Sequence, residues 1–313
     1  MKKVSICICC YNEEGNVLKV YNEICREIEK NSDIEFEIVF ADNCSEDNTK
    51  KILKNIAQED KRVKVIFNQM NYGWDRSATN LLQSVHSDAV VIMTCDLQDP
   101  IEMISTFIEE WKQGNLVVWA QKLKSDENRI KYNCRKLYYK LIDKLSDTPQ
   151  LYQVTGVGLM DEIVLQEVLK TKGQDPEVSI RHLVPEMGFK VKLVPYTQRK
   201  RAWGKSSFNI YKYYSFAITS LINTSTKPLR LMTLTGMLTA LGAIIVAILY
   251  LIYKMTHWMT FSAGMAPLVI GLFFCAAIQL FCIGILGEYI CVLLRKVTNR
   301  SNVIEEERVN FDE

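Results

Sequence analysis

The sequence predicts an α/β domain built on a parallel sheet, followed by an interfacial helix and two transmembrane helices. Three observations lead to this. Short apolar runs rich in Val and Ile alternate with stretches of helical pattern in the first two thirds of the 313 residues. Each run leaves into an acidic, amide-rich turn. The last third contains two long stretches without a charge.

The first run, Val4-Ser5-Ile6-Cys7-Ile8-Cys9-Cys10, leads into Tyr11-Asn12-Glu13-Glu14, and the second, Glu35 to Ala41, leads into Asp42-Asn43-Cys44-Ser45-Glu46-Asp47-Asn48-Thr49. A third, Ala89-Val90-Val91-Ile92-Met93, leads into Thr94-Cys95-Asp96-Leu97-Gln98-Asp99-Pro100. About 12 to 15 residues of helical pattern follow each turn, the signature of repeated βαβ units. Ligands bind beyond the carboxyl ends of such strands, so Tyr11, Asp42 and Asp96 converge on one crevice. Asp96 and Gln98 carry the oxygens that hard divalent cations and their bound phosphates require. Read as an ordinary strand-to-helix turn, the same segment makes Asp99 an N-cap and Pro100 the first helical residue. That reading accounts for Asp99 but leaves Asp96 and Gln98 unexplained.

Mean hydropathy near zero hides an uneven chain. Residues 1–205 read as a soluble domain and 206–229 as a juxtamembrane segment, with a two-helix membrane domain at 230–294 and a tail at 295–313. In the juxtamembrane segment Phe208, Tyr211, Tyr214, Ile218, Leu221 and Ile222 recur every three to four residues, as in a helix lying in the headgroup layer. A helix packed on the soluble domain is the alternative. Leu231 to Tyr253 is 23 residues without a charge and Trp258 to Gly287 another 30. Spanning a hydrocarbon core takes roughly 20. Lys227 and Arg230 precede the first stretch and Arg295, Lys296 and Arg300 follow the second, against Lys254 and His257 between them. By the positive-inside rule both termini and the soluble domain face the cytoplasm. The N-terminus has only about seven apolar residues before a polar turn, too few for a signal peptide.

Of the ten cysteines, Cys7, Cys9 and Cys10 lie on one predicted strand and Cys275, Cys282 and Cys291 in or beside the second apolar stretch, so they read as small apolar residues of a reducing compartment. A net charge of +2 points to no nucleic-acid partner. No G-x-G-x-x-G follows the first strand, which argues against a dinucleotide oxidoreductase. Arg199-Lys200-Arg201, followed by Gly204-Lys205-Ser206, is a basic run suited to gripping phosphate. A solvated loop beside anionic lipid is the alternative for Lys200 and Lys205.

Further pieces carry a resemblance. C-Y-N-E-E at Cys10 to Glu14, A-D-N-C-S-E-D-N-T at Ala41 to Thr49, N-Y-G at Asn71 to Gly73 and D-L-Q-D-P at Asp96 to Pro100 are followed by R-K-R-A-W-G-K-S-S at Arg199 to Ser207, P-L-R at Pro228 to Arg230 and G-E-Y at Gly287 to Tyr289. In this order, over nearly the whole chain, they resemble the membrane-anchored polyprenyl-phosphate branch of glycosyltransferase family 2, that of dolichyl-phosphate mannose synthase and bactoprenol glucosyltransferase. The resemblance implies a GT-A (Rossmann-like) fold and inverting transfer of a hexose from a nucleotide sugar, UDP-glucose or a related UDP-sugar, to undecaprenyl or another polyprenyl phosphate. It further implies Mg2+ or Mn2+ as cofactor, a role in cell-surface glycan modification and a multi-pass location in a bacterial plasma membrane. A homo-oligomer is left open.

Carried onto this chain, the resemblance puts Tyr11, Glu13, Asp42 and Asp96 around the nucleotide sugar, with Asp42 accepting from a uracil N–H. Asp96 and Gln98 are the metal and catalytic positions, and Lys122, Arg199, Arg201 and Ser206 hold the acceptor phosphate. The chain departs from the pattern twice. Thr94 stands where relatives carry the first Asp of D-x-D, removing one charge, and Thr155-Gly156-Val157-Gly158-Leu159-Met160-Asp161 stands where many carry G-D-F-R-L. Gln198 to Trp203 also resembles, with one residue too many, the Q-x-x-R-W signature of processive polysaccharide synthases, for which two spans are few. A non-catalytic nucleotide-sugar-binding membrane partner is the reading from a different class.

Overall fold

The computed structural model describes residues 1–125, 151, 153–174, 179–199, 222, 225–256, 265–297 and 303–311. Its centre is an eight-stranded sheet. In chain order the strands are β1 (Lys2–Cys10), β2 (Ile34–Asp42), β3 (Val63–Asn68), β4 (Ala89–Thr94), β5 (Val117–Ser125), β6 (Val154–Asp161), β7 (Val191–Gln198) and β8 (Glu305–Val309). They lie side by side as β7-β5-β6-β4-β1-β2-β3-β8. Strands β1 to β4 are mutually parallel, β6 runs against both β4 and β5, and β7 is parallel to β5. The carboxyl ends of β1, β2, β4, β5 and β7 therefore share one edge.

The apolar runs are continuous because both faces of the sheet are covered. Alternate residues feed opposite cores. Val4, Ile6, Ile8, Phe36, Ile38 and Phe40 pack with helices α1 (Val17–Ile28), α2 (Thr49–Glu59) and α4 (Met103–Lys112). Cys7, Val39, Ala41, Val90 and Ile92 pack with α3 (Trp74–Gln83), α5 (Glu162–Gln174) and α6 (Ile180–Glu186). Val17, Val20, Ile24 and Ile28 fall on one stripe of α1, the spacing that makes it amphipathic. Each such fully buried side chain contributes about 1.5 to 3 kcal/mol. Helix α1 runs 12 residues, as expected, and α2 and α4 run 11 and 10, slightly shorter.

A buried carboxylate fixes the far side of the sheet. Glu37 accepts from the Ser5 hydroxyl at 2.5 Å and pairs with Lys3 at 2.8 Å and Lys64 at 3.1 Å. Burial pushes its carboxyl upward, but these partners outweigh it and hold it below its usual value. Because the folded value is the lower one, the stabilisation is present above the unfolded value and lost as pH falls through the folded one. Glu37→Gln is accordingly expected to destabilise the protein by about 1 to 3 kcal/mol near neutrality and to flatten its loss of thermal stability in acid. Parallel melting curves from pH 7 to pH 3 check this; equal acid slopes for variant and parent would refute it.

Beyond the sheet lie α7 (Lys227–Thr256) and α8 (Met265–Val297), both long and apolar enough to cross a membrane. Leu238, Leu241, Ile244, Leu249, Leu272 and Phe281 are all exposed, unlike the side chains of a core helix. Pro267 falls in the first turn of α8, where a missing N–H costs nothing. The Tyr289 hydroxyl donates to the Ser225 carbonyl at 3.0 Å, joining the G-E-Y segment to the approach to α7. Residues 206–221, 223 and 224 of the expected juxtamembrane helix lie outside the described residues.

The expected tail is in part a strand. After α8 the chain returns to the sheet and lays β8 antiparallel on the edge of β3. Glu306 and Glu307 pair with Lys50 and Lys54 of α2 at 2.7 and 2.6 Å, and Asn80 of α3 donates to Glu305 at 2.6 Å.

Candidate active site

Register brings the three strand-end turns together. Cys10 lies opposite Asp42, and Cys9 opposite Thr94. Each turn contains a non-glycine residue in the left-handed region: Asn12 (φ 55°), Cys44 (φ 64°) and Leu97 (φ 55°). Such backbone is costly for a side-chain-bearing residue and persists where its surroundings fix it.

Here the surroundings are a lattice of hydrogen bonds. The Asn12 amide donates to the Ser45 hydroxyl at 2.9 Å and Asn12 Oδ1 accepts from the Glu46 amide at 2.8 Å. The Glu13 amide donates to the Thr49 hydroxyl at 2.9 Å, and the Asn48 side chain to Glu14 at 2.8 Å. Asp42, only 1% exposed, accepts from the Ser45 hydroxyl at 2.5 Å and the Ser45 amide at 3.2 Å. Burial raises its carboxyl against the pull of those bonds. Glu13 is also buried and accepts from the Asn16 amide group at 2.6 Å, whereas Tyr11 is exposed at the rim. Asn43 extends the lattice: its side chain donates to Asn71 at 2.9 Å and accepts from the Tyr72 amide at 3.0 Å, which places N-Y-G beside the crevice.

The turn after β4 is organised by Thr94. Its hydroxyl lies 3.0 Å from Asp96 Oδ1 and 3.0 Å from Asp99 Oδ2. A hydroxyl has one proton, so it serves one carboxylate at a time. Asp96 Oδ1 also accepts from the Gln98 amide at 3.2 Å. Asp99 is buried and takes a hydrogen bond from the Tyr196 hydroxyl of β7; burial raises its carboxyl, with Tyr196 and Thr94 opposing. It does not cap the helix. A turn intervenes, with the Met103 amide bonded to the Pro100 carbonyl at 3.2 Å, and α4 begins only at Met103. The N-cap reading is thus corrected: a buried carboxylate facing two hydroxyls gains more there than at an exposed helix end.

Lys122 lies toward the carboxyl end of β5, opposite Tyr196 of β7, and its charge acts on Asp99. Arg199 follows β7, its amide donating to the Gln98 carbonyl at 2.9 Å and its guanidinium to Glu102 at 3.0 Å. Tyr11, Asp42, Asp96, Gln98, Lys122 and Arg199 are therefore on one edge, while Arg201, Ser206 and Lys205 lie outside the described residues. Asp161, from the segment that departs from G-D-F-R-L, pairs with Ala89 at the opposite edge and accepts from the Trp111 indole at 2.7 Å. Among the described residues no three His, Cys, Asp or Glu side chains gather as a metal site. Sequence reasoning missed Tyr196 and the Asn43–Asn71–Tyr72 lattice. Only the N-Y-G motif hinted at the latter.

A doubly covered sheet whose acidic, amide-rich turns gather at its carboxyl edge is the architecture of proteins that bind ligands beyond their strand ends. The chain belongs to glycosyl transferase family 2, whose model matches residues 5–169. It is a glycosyltransferase. It is 30% identical to the SfII prophage-derived bactoprenol glucosyl transferase of Shigella flexneri over 307 residues, covering 96% of this chain and 97% of that one. It is 29% identical to the prophage bactoprenol glucosyl transferase homolog of Escherichia coli over 92% of this chain and 93% of that one. Among solved structures, a mannosyltransferase from Pyrobaculum calidifontis in complex with GDP-Man and Mn2+ aligns over 96% of this chain and 88% of that one, with a TM-score of 0.50 and 14% identity. The fold is thus GT-A-like.

Proposed function

We propose that the protein transfers a hexose, from UDP-glucose or a related UDP-sugar, to undecaprenyl or another polyprenyl phosphate at the cytoplasmic face of a bacterial plasma membrane. The carrying observation is the shared edge, where Tyr11 follows β1, Asp96 follows β4, and Lys122 and Arg199 lie at the ends of β5 and β7. The names of the bactoprenol glucosyl transferase relatives support a lipid phosphate as acceptor.

A phosphate monoester is already anionic near neutral pH, its second pKa being about 6. A strong general base is therefore unnecessary, and the residues act by binding and orientation. Thr94, Asp96 and Gln98 offer a hydroxyl, a carboxylate and an amide oxygen, the kind of donor a hard divalent cation takes. Asp96 and Gln98 would hold Mg2+ or Mn2+, which supplies charge neutralisation of the leaving diphosphate when bound. Asp42 and the Ser45 turn support the nucleoside end, and Tyr11 borders it. The location is supported by topology: β7 precedes α7 and β8 follows α8, yet both belong to one sheet, so the two apolar helices leave and return on the same side. The positive flanks make that side cytoplasmic.

The test incubates membranes containing the protein with labelled nucleotide sugars and undecaprenyl phosphate. Label in the lipid extract at one sugar per lipid, with UDP-glucose the first donor, is the expected result. A growing chain would indicate processive synthesis, and no transfer from any donor would overturn the reading.

The basic run carries a separate expectation. Arg199 and Glu102 are both about half exposed, and such a pair is worth no more than about 1 kcal/mol, so the guanidinium can be traded to a phosphate. A charge-assisted hydrogen bond to that phosphate is worth about 1.5 to 3 kcal/mol. Arg199→Ala and Arg201→Ala should each raise the apparent KM for polyprenyl phosphate by roughly 10-fold or more and leave that for nucleotide sugar nearly unchanged, with Lys restoring only part. Saturation curves for both substrates decide it; a defect confined to the donor assigns the run to the donor diphosphate instead.

A further inference from the structure

We infer that the tip formed by Met70, Trp74 and Ile304 is a lipid-contacting surface that rests in the headgroup layer and sets the height of the crevice above the membrane. This builds on the reading of α7 and α8 as membrane spans. Three large apolar side chains are exposed around one loop pair: Met70 at 55%, Trp74 at 40% and Ile304 at 57%. The pair is held rigidly. The Gln69 amide donates to the Ile304 carbonyl at 2.9 Å, and the Ile304 amide to the Tyr72 hydroxyl at 3.2 Å.

The occupant follows from where the chain comes from. Ile304 is seven residues beyond Val297, the last residue of α8, and seven extended residues reach at most about 25 Å. The tip is thus tethered close to the end of an apolar helix. It also lies at the ligand edge, since the first residue of β8, Glu305, is opposite Asn68 at the carboxyl end of β3. The other route to the apolar helices leaves from the same edge, where Arg199 follows β7 beside Gln98. With both connections on this edge, the edge faces the bilayer. Trp is the side chain favoured at a membrane–water interface, its ring apolar and its N–H polar. Through Tyr72 and Asn43 the tip is continuous with the turn that holds Asp42, so its depth fixes the position of the nucleotide crevice.

The test uses the intact chain in bilayer nanodiscs made with ordinary phosphatidylcholine or with phosphatidylcholine brominated at the headgroup end of its acyl chains, where bromine quenches indoles seated at the interface. The Trp74 component is the difference between wild type and Trp74→Phe. Loss of that component in brominated lipid, and its recovery in Met70→Glu/Ile304→Glu, is the expected result, with a several-fold rise in the KM for polyprenyl phosphate in the double variant. A Trp74 component equally bright in both lipids overturns the inference, whether solvent or a second copy of the chain covers the tip. Quenching that remains in Trp74→Phe reports Trp258, at the start of the second apolar stretch, and Trp203, just before the expected juxtamembrane segment. If that is absent as well, the membrane reading of the helices fails; if only the Trp74 component is insensitive, the tip assignment alone fails.

Discussion

Asp96→Asn is expected to lower sugar transfer at least ~100-fold while the protein remains folded. The change removes the charge of the one carboxylate of the β4 turn that is not buried, and almost no volume. Stabilisation of a developing charge by one such contact is worth about 3 kcal/mol, which is a factor of a hundred or more in rate. The fold should tolerate it, because an Asn oxygen can still accept from Thr94 and the Gln98 amide. Single-turnover transfer and a melting curve on the same preparation make the check. Turnover within a few fold of the parent would remove Asp96 from the chemistry, and a collapsed melting curve would mean that stability had been measured instead.

The largest structural effect is expected from Gly158→Ala. Gly158 lies in β6, between Trp119 of β5 and Ile92 of β4. A Cβ there would sit 2.2 Å from the Val118 carbonyl oxygen and 2.8 Å from Trp119 Cα. Those are backbone atoms of a strand held on both sides, so they cannot retreat without opening the β5–β6 ladder. Overpacking of this kind costs about 3 kcal/mol or more, a fall of roughly 6 to 12 °C in Tm for a domain of this size. Lys122 would move with β5. A variant that melts with the parent would show that the strands can separate more easily than the geometry allows.

Much of the site was legible because its chemistry is local in sequence. Turns that follow Val- and Ile-rich strands must lie at the carboxyl edge of a parallel sheet, and that placed Tyr11, Asp42 and Asp96 before any coordinates. Asp99 was misjudged for a physical reason. A carboxylate one residue before Pro looks like a helix cap, and the competing partner, the Tyr196 hydroxyl, is 97 residues away. The terminal strand was missed in the same way. Glu305-Glu306-Glu307-Arg308-Val309 has no apolar alternation to suggest a strand; its carboxylates are satisfied by Lys50, Lys54 and Asn80, which are 225 to 256 residues distant in the chain.

The sequence by itself determined the class of the sheet domain, the two apolar helices and the acidic turns at the strand ends, since hydrophobic period, span length and turn composition are properties of neighbouring residues. The tertiary structure alone decided which carboxylates are buried and which are open, that β6 requires glycine at position 158, and that the chain after α8 returns to the sheet. These depend on groups that meet only when distant segments pack, and no window of sequence contains both partners.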